Sequence, residues 1–341
     1  MLIRLFLASV LAFLPLTAAA QETSAAAGSE LAQEGFAVNV PNHWKRNWPQ
    51  TDFTQIAVDP SEIFSGGPPK DGIPAITGPE MIAVSAKESL APREPVMVLE
   101  IEGEAPRAYP VRYLMWHEIV NDQVGEVPVA VTFCPLCNSG LTFDRRLDGQ
   151  VLEFGVSGML RFSDMVMYDR QTESWWQQMQ GLAIVGELLG AKLAPLPSWL
   201  ESWQGYKTRN PEGLVMAEPQ GYWRQYGANP YERYDSGSFM LYNGEMPPNG
   251  VDPVSRVVRV GNRAWPLTRL AEEGEITEAG YRLSWEAGQA SALDTRDIGA
   301  GREVGDVRVF DAESGKDVVH EVVFAFAFHA FEPDGIWMTG Q

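Results

Sequence analysis

The chain has two cysteines, Cys134 and Cys137, whose Cys-x-x-Cys spacing could support three kinds of chemistry. In an oxidising compartment they could form a structural disulfide, although closing so short a loop contributes only about 2 kcal/mol. A thiol–disulfide active site usually places its first cysteine at a helix N-terminus, whereas here NSG and a predicted hairpin follow. The third possibility is a metal knuckle, a turn that needs a positive φ after the second cysteine, which Asn138 tolerates.

A metal at this knuckle would need further ligands, because zinc knuckles usually come in pairs and the chain has one. His117 lies seventeen residues before Cys134, in a predicted helix that leads into the cysteine strand. We therefore predict His117 as the third ligand, with Glu118 or Asp122 orienting its ring. Two thiolates and one imidazole suit zinc, copper or iron.

Two methionines and three other histidines complete the set of candidate ligands. Met159 and Met165 flank LRFSD and could add a thioether, which would favour copper, although apolar packing is the commoner role of methionine. His43 and His320 are expected to be packing residues. His329 alternates with phenylalanine in a predicted final strand, where we expect it to be buried.

The elements that would position these residues are mostly strands. Hairpins are predicted over residues 96–111, 141–156 (turning at Asp148-Gly149), 256–267 (turning at Gly261-Asn262) and 307–328. Short helices are predicted over 111–122 and 169–180. We expect a β-rich α+β protein of several antiparallel hairpins with a few short helices. RAYPVRYL (107–114) resembles RAWPLTRL (263–270), which either an internal duplication or chance could produce.

The N-terminal residues have the pattern of an export signal. Arg4 precedes the apolar run LFLASVLAFLPL, and TAAA before Gln21 is typical of a cleavage site. We predict a signal peptide over 1–20, a flexible lead-in over 21–52 and a single large domain over 53–341. The mature protein would then be periplasmic or secreted, with no stable membrane anchor after cleavage.

Charge narrows the choice of partners. The chain carries 26 Lys and Arg against 45 Asp and Glu, a formal net charge of −19. This balance repels phosphate backbones, and the sequence has no concentrated basic stretch to offset it, so we exclude nucleic acid. The remaining partners are a small molecule or another protein.

Four motifs together resemble a known family. They are SGGPPKDGIPAI, AYPVRYLMWHEIVND, VTFCPLCNSGLTFDRR and SDMVMYDRQTESWWQQ, and the similarity runs from about Phe53 to Asp334. The chain resembles the exported bacterial and archaeal domain of unknown function family 3179. Asn138 stands where the family often has glycine, and His329 stands where we expect an apolar residue.

The resemblance ties further residues to recurring motifs but implies no activity. His117, Cys134 and Cys137 fall in such motifs, as do Asp169 and Arg170. The last two could form a surface ion pair, or could line the mouth of a site with Trp175 and Trp176 as its walls.

Three functions follow from these residues. The first is an exported soluble protein with a Cys-Cys-His site for a transition metal, which is copper or zinc with iron as a further choice. The protein would use this metal for redox chemistry or simply hold it, and three protein ligands leave one coordination position open. The second is a thiol–disulfide oxidoreductase in which His117 shuttles protons. The third is a non-enzymatic binding protein with a structural disulfide, whose tryptophan-rich segments engage a partner or glycan.

Overall fold

The computed structural model describes residues 39–237 and 241–340. The predicted signal peptide and the cleavage site at Gln21 lie outside the described residues. Part of the predicted lead-in is described and is packed, because Trp44 and Trp48 are buried against Trp175. None of the helices in the described part of the chain has both the length and the apolar character that crossing a bilayer requires.

The described elements are short strands joined by turns, with five short α-helices among them. The strands are β1 (Ile63–Ser65), β2 (Ile76–Thr77), β3 (Met81–Ala83), β4 (Pro95–Leu99), β5 (Arg107–Pro110), β6 (Ile119–Val124), β7 (Val127–Cys134), β8 (Ser139–Asp144), β9 (Arg146–Leu147), β10 (Gln150–Val151), β11 (Phe154–Arg161), β12 (Asp164–Asp169), β13 (Trp175–Gln177), β14 (Leu182–Val185), β15 (Ala194–Leu196), β16 (Ser198–Ser202), β17 (Leu214–Met216), β18 (Arg256–Val260), β19 (Arg263–Pro266), β20 (Glu275–Glu278), β21 (Tyr281–Glu286), β22 (Asp306–Asp311), β23 (Glu321–Phe324) and β24 (Ile336–Trp337). The helices are α1 (Asn42–Asn47), α2 (Val111–His117), α3 (Trp203–Arg209), α4 (Leu267–Glu273) and α5 (Ala325–Phe331).

These strands form five sheets arranged as a five-bladed β-propeller. Blade 1 has the order β16-β4-β5-β17-β3, blade 2 β15-β8-β7-β6-β2, blade 3 β1-β11-β12-β13-β14, blade 4 β23-β18-β19-β24 and blade 5 β20-β21-β22. Strands β9 and β10 make a separate small hairpin. The predicted β-rich composition with antiparallel sheets and few short helices is confirmed, and the propeller is a finer class than the one we expected.

The predicted hairpins over 96–111 and 256–267 are present, and the one over 141–156 is present only beside its turn, because β8 and β11 belong to different sheets. Strands β4 and β5, β9 and β10, and β18 and β19 pair antiparallel. Their turns use residues that tolerate a positive φ, including Asp148 at 47° and Gly261 at 56°. The turn chemistry in the sequence was therefore sufficient to locate these hairpins.

The fourth predicted hairpin forms only beside its turn, where Phe310 and Asp317 make an antiparallel bridge, and one predicted helix is wrong. Strand β22 pairs with β21, whereas β23 pairs with β18 in another blade, and the residues after Phe324 form helix α5. His329 consequently lies on a helix rather than in a strand. Residues 169–180, predicted as a helix, contain the end of β12, strand β13 and a short 3-10 helix at Gln178–Gln180.

Blades 1 and 4 follow the same chain path. Each starts with an antiparallel hairpin, β4–β5 or β18–β19, and a helix follows directly, α2 or α4. The chain then contributes to two other blades in the first case and to one in the second, before it returns as β16 or β23, a second helix and a parallel strand. The returning segments also match in sequence, as PEGLVM (211–216) and PDGIWM (333–338). Such an arrangement is what an internal duplication would produce.

Candidate metal centre

The two cysteines lie on a tight turn between neighbouring strands of blade 2. Cys134 ends β7 and pairs with Ser139, the first residue of β8, and Cys137 lies in the turn between them. Asn138 has a φ of 52°, which confirms the predicted conformation after the second cysteine. Blade 4 anchors this turn, because the Phe324 N–H donates to the Cys137 carbonyl at 3.0 Å. Both cysteines are free thiols and are buried.

A carboxyl group from blade 3 completes the cluster. Asp164 is the first residue of β12 and follows a two-residue turn, Phe162 and Ser163, in which both φ values are positive, at 51° and 66°. A positive φ is uncommon for residues other than glycine and costs of order 1 kcal/mol or more at each position. The turn brings the Ser163 carbonyl to 3.6 Å from the Cys134 sulfur, which donates to it.

Only one of the two carboxylate oxygens of Asp164 has hydrogen-bond partners among the described residues. Its Oδ2 accepts hydrogen bonds from Gln177 Nε2 at 2.6 Å and from the Met179 N–H at 3.0 Å. Its Oδ1 is buried and has no hydrogen-bond partner among the described residues. A buried acceptor without a partner costs about 1–3 kcal/mol, which a bound cation would offset.

Cys134, Cys137 and Asp164 form one compact group. One ligand atom from each residue, the two Sγ and a carboxylate oxygen, lies within 4.8 Å of the others, and all three residues are buried. Burial raises the pKa of Asp164 to about 7 and raises the pKa of both thiols. Both thiols therefore stay protonated near neutral pH unless a positive charge is present, and their soft sulfurs suit a transition metal.

His117 does not join this group. Its Nδ1 lies 2.7 Å from the Pro74 carbonyl oxygen, and its Nε2 lies 2.7 Å from the Tyr226 hydroxyl. The Tyr222 ring packs edge-on against it, with 4.7 Å between ring centroids. Both ring nitrogens are thus engaged with other groups, and the third candidate ligand here is the carboxyl of Asp164 rather than the predicted imidazole.

Glu118, predicted to orient His117, is instead a buried residue whose carboxyl group lies near Asp164. It follows α2 with a φ of 58° and a ψ of −33°, and its carboxyl group bonds neither ring nitrogen of His117. Burial, followed by the nearby charge of Asp164, raises the pKa of Glu118 to about 8. Its carboxyl group has no hydrogen bond to any described side chain or backbone group, and it forms part of a cavity wall.

That cavity has a volume of about 380 Å³ and borders the cluster. Leu136, which separates the cysteines, and Met165, which follows Asp164, are in its wall together with Met159. The two methionines predicted as possible extra ligands therefore line the cavity. Its remaining walls are Gly66, Pro68, Ile73, Val156, Gly158, Leu160, Pro230, Tyr231, Glu232, Arg233, Tyr234 and Leu241.

The family model for Protein of unknown function (DUF3179) matches residues 70–335. The chain belongs to the DUF3179 family. No curated protein and no solved structure matches it in the same comparisons. Every residue of the cluster and Glu118 lie inside the matched range, so the candidate metal centre is built entirely from the DUF3179 region.

The other polar residues singled out from the DUF3179 motifs hold elements in place. Asp122 accepts hydrogen bonds from Arg107 at 2.5 Å and from the Tyr109 hydroxyl at 2.7 Å. Asp169 accepts one from the Trp176 indole at 2.9 Å. Arg170 pairs with the carboxylates of two residues, Asp71 and Glu153, each at 3.2 Å.

None of these residues borders the cavity. Asp169 and Arg170 bind different partners, so they do not form the ion pair that their adjacency suggested. Trp175 and Trp176 are fully buried in two different apolar clusters and are not the walls of a site mouth.

Asp164 is the residue that the sequence reasoning missed. It lies in RFSDMVMY, a stretch that otherwise reads as a buried strand. An acidic residue in such a run is rarely fully buried without a partner or a metal, and this was a usable signal.

Proposed function

We propose that the chain binds a transition-metal ion through the sulfurs of Cys134 and Cys137 and the carboxylate of Asp164. The observation that carries the proposal is the buried Oδ1 of Asp164, which lacks a partner among the described residues within a group that includes two free thiols. An acceptor buried at such a cost directly after a conformationally strained turn is typical of a site whose ligand supplies the missing interaction.

The donor set favours zinc over copper and iron. Zinc accepts thiolate and carboxylate ligands together, at about 2.3 Å and 2.0–2.2 Å respectively. Copper(I) prefers sulfur alone, and the hard carboxylate oxygen argues against it. Three protein ligands leave one position open, the arrangement of catalytic rather than structural zinc sites, and such a zinc ion would act as a Lewis acid.

The residues around the cluster suit a reactive site. Gln177 and the Met179 backbone fix the Asp164 carboxylate through its second oxygen, as outer hydrogen-bond partners do for metal ligands. Glu118, a carboxylic acid with a raised pKa, lies on the cavity wall and could give or accept a proton there. The signal-like pattern of residues 1–20 supports action outside the cytoplasm.

Metal content of purified variants tests the proposal. Wild-type protein, prepared without chelator, should contain a stoichiometric metal ion by elemental analysis. Asp164→Asn keeps the size of the side chain but weakens it as a ligand, so metal affinity should fall by more than the roughly 10–100-fold that loss of an outer partner costs. His117→Asn is the matched control and should retain the metal. A wild-type protein without metal, or a metal lost equally in both variants, would contradict the proposal.

Thiol–disulfide exchange is the second candidate, favoured by the carboxyl group of Asp164 beside two free thiols. A buried acid with a pKa of about 7 could accept the proton of an attacking thiol. Against this candidate, burial raises the pKa of both thiols, which lowers the thiolate fraction. Metal-free wild type with a reversible disulfide, read by alkylation and mass spectrometry, would favour exchange over metal binding.

A further inference from the structure

His117 is not part of the metal centre, but it forms a hydrogen-bonded pair with Tyr226. The Nε2 atom of His117 lies 2.7 Å from the Tyr226 hydroxyl, and its Nδ1 atom lies 2.7 Å from the Pro74 carbonyl oxygen. A carbonyl oxygen only accepts hydrogen bonds, so in the neutral imidazole Nδ1 carries the proton and Nε2 is an acceptor. Tyr226 therefore donates its hydroxyl proton to Nε2 of His117.

This pair has the arrangement of an activated nucleophile. In such sites a hydroxyl group lies within hydrogen-bond reach of a base, and a third group orients the base. Burial lowers the pKa of His117, which keeps Nε2 unprotonated near neutral pH. Burial also raises the pKa of Tyr226 to about 12, so its oxygen becomes a nucleophile only as His117 takes the proton.

The corresponding helix of blade 4 indicates that the fold does not require this histidine. Helices α2 and α4 each end one residue before a chain reversal, so His117 corresponds to Glu273. Glu273 is exposed and pairs with Arg269, which lies one turn earlier on the same helix. The pair of His117 and Tyr226 is therefore an addition to blade 1 and not part of the construction that the two blades share.

Tyr226 is held in place at the surface of the molecule. Its ring packs edge-on against the buried ring of Tyr113, with 5.0 Å between the centroids. Tyr226 is itself partly exposed, and its loop also presents Tyr222 and Trp223 to solvent, with exposures of 38% and 98%. Exposed aromatic rings on this loop favour a substrate that carries an aromatic group.

Arg224 adds a positive charge close to the pair. Its guanidinium group stacks on Trp116, 5.9 Å from the ring centroid, and makes no ion pair with a carboxylate in the described part of the chain. Besides burial, the charges that act on Tyr226 are those of Glu218, which raises its pKa, and of Arg224, which lowers it. A cation at this place stabilises the negative charge that forms on a carbonyl oxygen when a hydroxyl group attacks.

We propose that Tyr226 is the nucleophile of a second reactive site, which accepts the acyl group of an aryl ester with His117 as the base. The phenol oxygen attacks the ester carbonyl carbon, and its proton passes to Nε2 of His117. The bond to the aryl oxygen then breaks, and the leaving phenol takes that proton from the imidazolium. Water hydrolyses the acyl-tyrosine, with His117 again as the base, and releases the carboxylic acid.

The first test labels the nucleophile of the purified full chain with benzenesulfonyl fluoride. A tyrosine oxygen displaces fluoride from this reagent and forms a stable sulfonate ester, which peptide mapping by mass spectrometry locates. Tyr222 is the internal reference, because it is more exposed and makes no hydrogen bond to a described residue. Assistance by a base should make Tyr226 react at least about tenfold faster than Tyr222.

The dependence of labelling on pH and on His117 separates an active base from a packing residue. The rate at Tyr226 should rise as His117 loses its proton and level off by pH 6.5, because burial holds the pKa of His117 below that ordinary value. The phenol of free tyrosine amide should instead react faster up to about pH 10. His117→Gln keeps a hydrogen-bonding group that takes no proton, and it should slow the labelling roughly 100-fold.

The second test measures hydrolysis of 4-nitrophenyl acetate. Tyr226→Phe removes only the hydroxyl and keeps the ring that packs on Tyr113, so the variant should fold while the rate falls by at least about tenfold. Tyr242→Phe is the matched control, because its hydroxyl donates to the Glu245 carbonyl elsewhere, and it should retain the rate.

Three results would overturn the proposal. These are labelling of Tyr226 no faster than that of Tyr222, labelling that His117→Gln does not slow, and ester hydrolysis that is absent or unchanged in Tyr226→Phe. Every measurement is made with chelator present, so its outcome is independent of the proposed metal centre.

Discussion

Blades 1 and 4 contain the same structural unit, a strand followed by a helix and a chain reversal. The two units differ in the residue at the reversal. The first unit spans residues 107–118 and the second spans residues 263–274. Each reversal has a positive φ, 58° at Glu118 and 76° at Gly274. Glycine is the ordinary residue for this conformation, since it has no Cβ to clash. The first unit therefore accepts backbone strain at the one position that supplies a buried carboxyl group to the cavity.

The same comparison separates structural acids from the acid of the site. Four residues after each reversal stands an acidic residue, Asp122 or Glu278, that accepts a hydrogen bond from the equivalent aromatic residue of its unit. These aromatic residues are Tyr109 and Trp265. Because both units keep this contact, it belongs to the construction of the blade. Glu118 has no acidic counterpart, which is what a residue retained for function would show.

The largest expected effect tests the structural role of Asp122. Asp122→Ala leaves the Arg107 guanidinium and the buried Tyr109 hydroxyl without their acceptor, which should lower the free energy of unfolding by about 3–5 kcal/mol. Chemical denaturation measures the change. Metal content per folded chain should stay at the wild-type level. A selective loss of metal would indicate that Asp122 supports the metal site, as the sequence predicted.

The second prediction concerns the pH dependence of stability. The folded-state pKa of Glu118 is raised to about 8, so the folded protein holds a proton that the unfolded chain releases. Stability contributed by this group is thus present at low pH and falls as pH rises from the unfolded value near 4.5 to about 8. In metal-free protein, Glu118→Gln should flatten the profile by about 1.4 kcal/mol per pH unit within that window. Identical profiles for the two proteins would refute the buried, protonated carboxyl.

The third prediction exchanges the residues at the two reversals. A Cβ at Gly274 would meet no atom within 4 Å, so the cost of Gly274→Ala is conformational and should be about 1–2 kcal/mol. At pH 4.5, where the pKa shift of Glu118 does not yet contribute, Glu118→Gly removes strain of the same kind and should leave stability unchanged or raise it by about 1 kcal/mol. Thermal unfolding compares the pair. A strongly destabilised Glu118→Gly would mean that the carboxyl group supports the fold.

The smallest effect is expected at Glu278. Its side chain is 30% exposed and pairs with Arg269 while accepting from Trp265. Glu278→Gln keeps an acceptor and removes a screened charge, so it should cost about 0.5–1 kcal/mol. Denaturation in low and high salt measures it, and the cost should shrink as salt rises. If the loss in free energy of unfolding equalled that of Asp122→Ala, the difference in burial between Asp122 and Glu278 would not explain their contributions to stability.

The sequence was sufficient to predict the conformation of local turns but not the long-range packing of the elements. The φ of Asn138 and the turns at Asp148 and Gly261 follow from short-range sterics, which is why these features were predicted. Helix α5 was missed because its residues are apolar nearly all round, so no 3.6-residue periodicity distinguishes it from a strand.

Of the three candidate ligands, only the two cysteines were predicted, because the third depends on long-range packing. The two cysteines are close in sequence, whereas Asp164 reaches them only because blades 2 and 3 pack together. His117 was predicted as the third ligand because histidine is the commonest metal ligand by residue type. The positive φ of Glu118, which follows His117 at the end of α2, is likewise predicted by no residue preference.

The path of the chain through blade 1 has a consequence for the order of folding. One edge of strand β4 pairs with the nearby β5. Its other edge pairs with β16, where Pro95 lies opposite Ser202, a residue about a hundred positions further along the chain. Pairings so distant in sequence slow folding. During that interval β4 presents an apolar open edge, the kind that recruits strands from other molecules. Most residues of blades 2 and 3 lie between β5 and β16, so blade 1 cannot be completed before these residues have been synthesised. The yield of folded protein should therefore depend on keeping chains apart until residue 202 has paired.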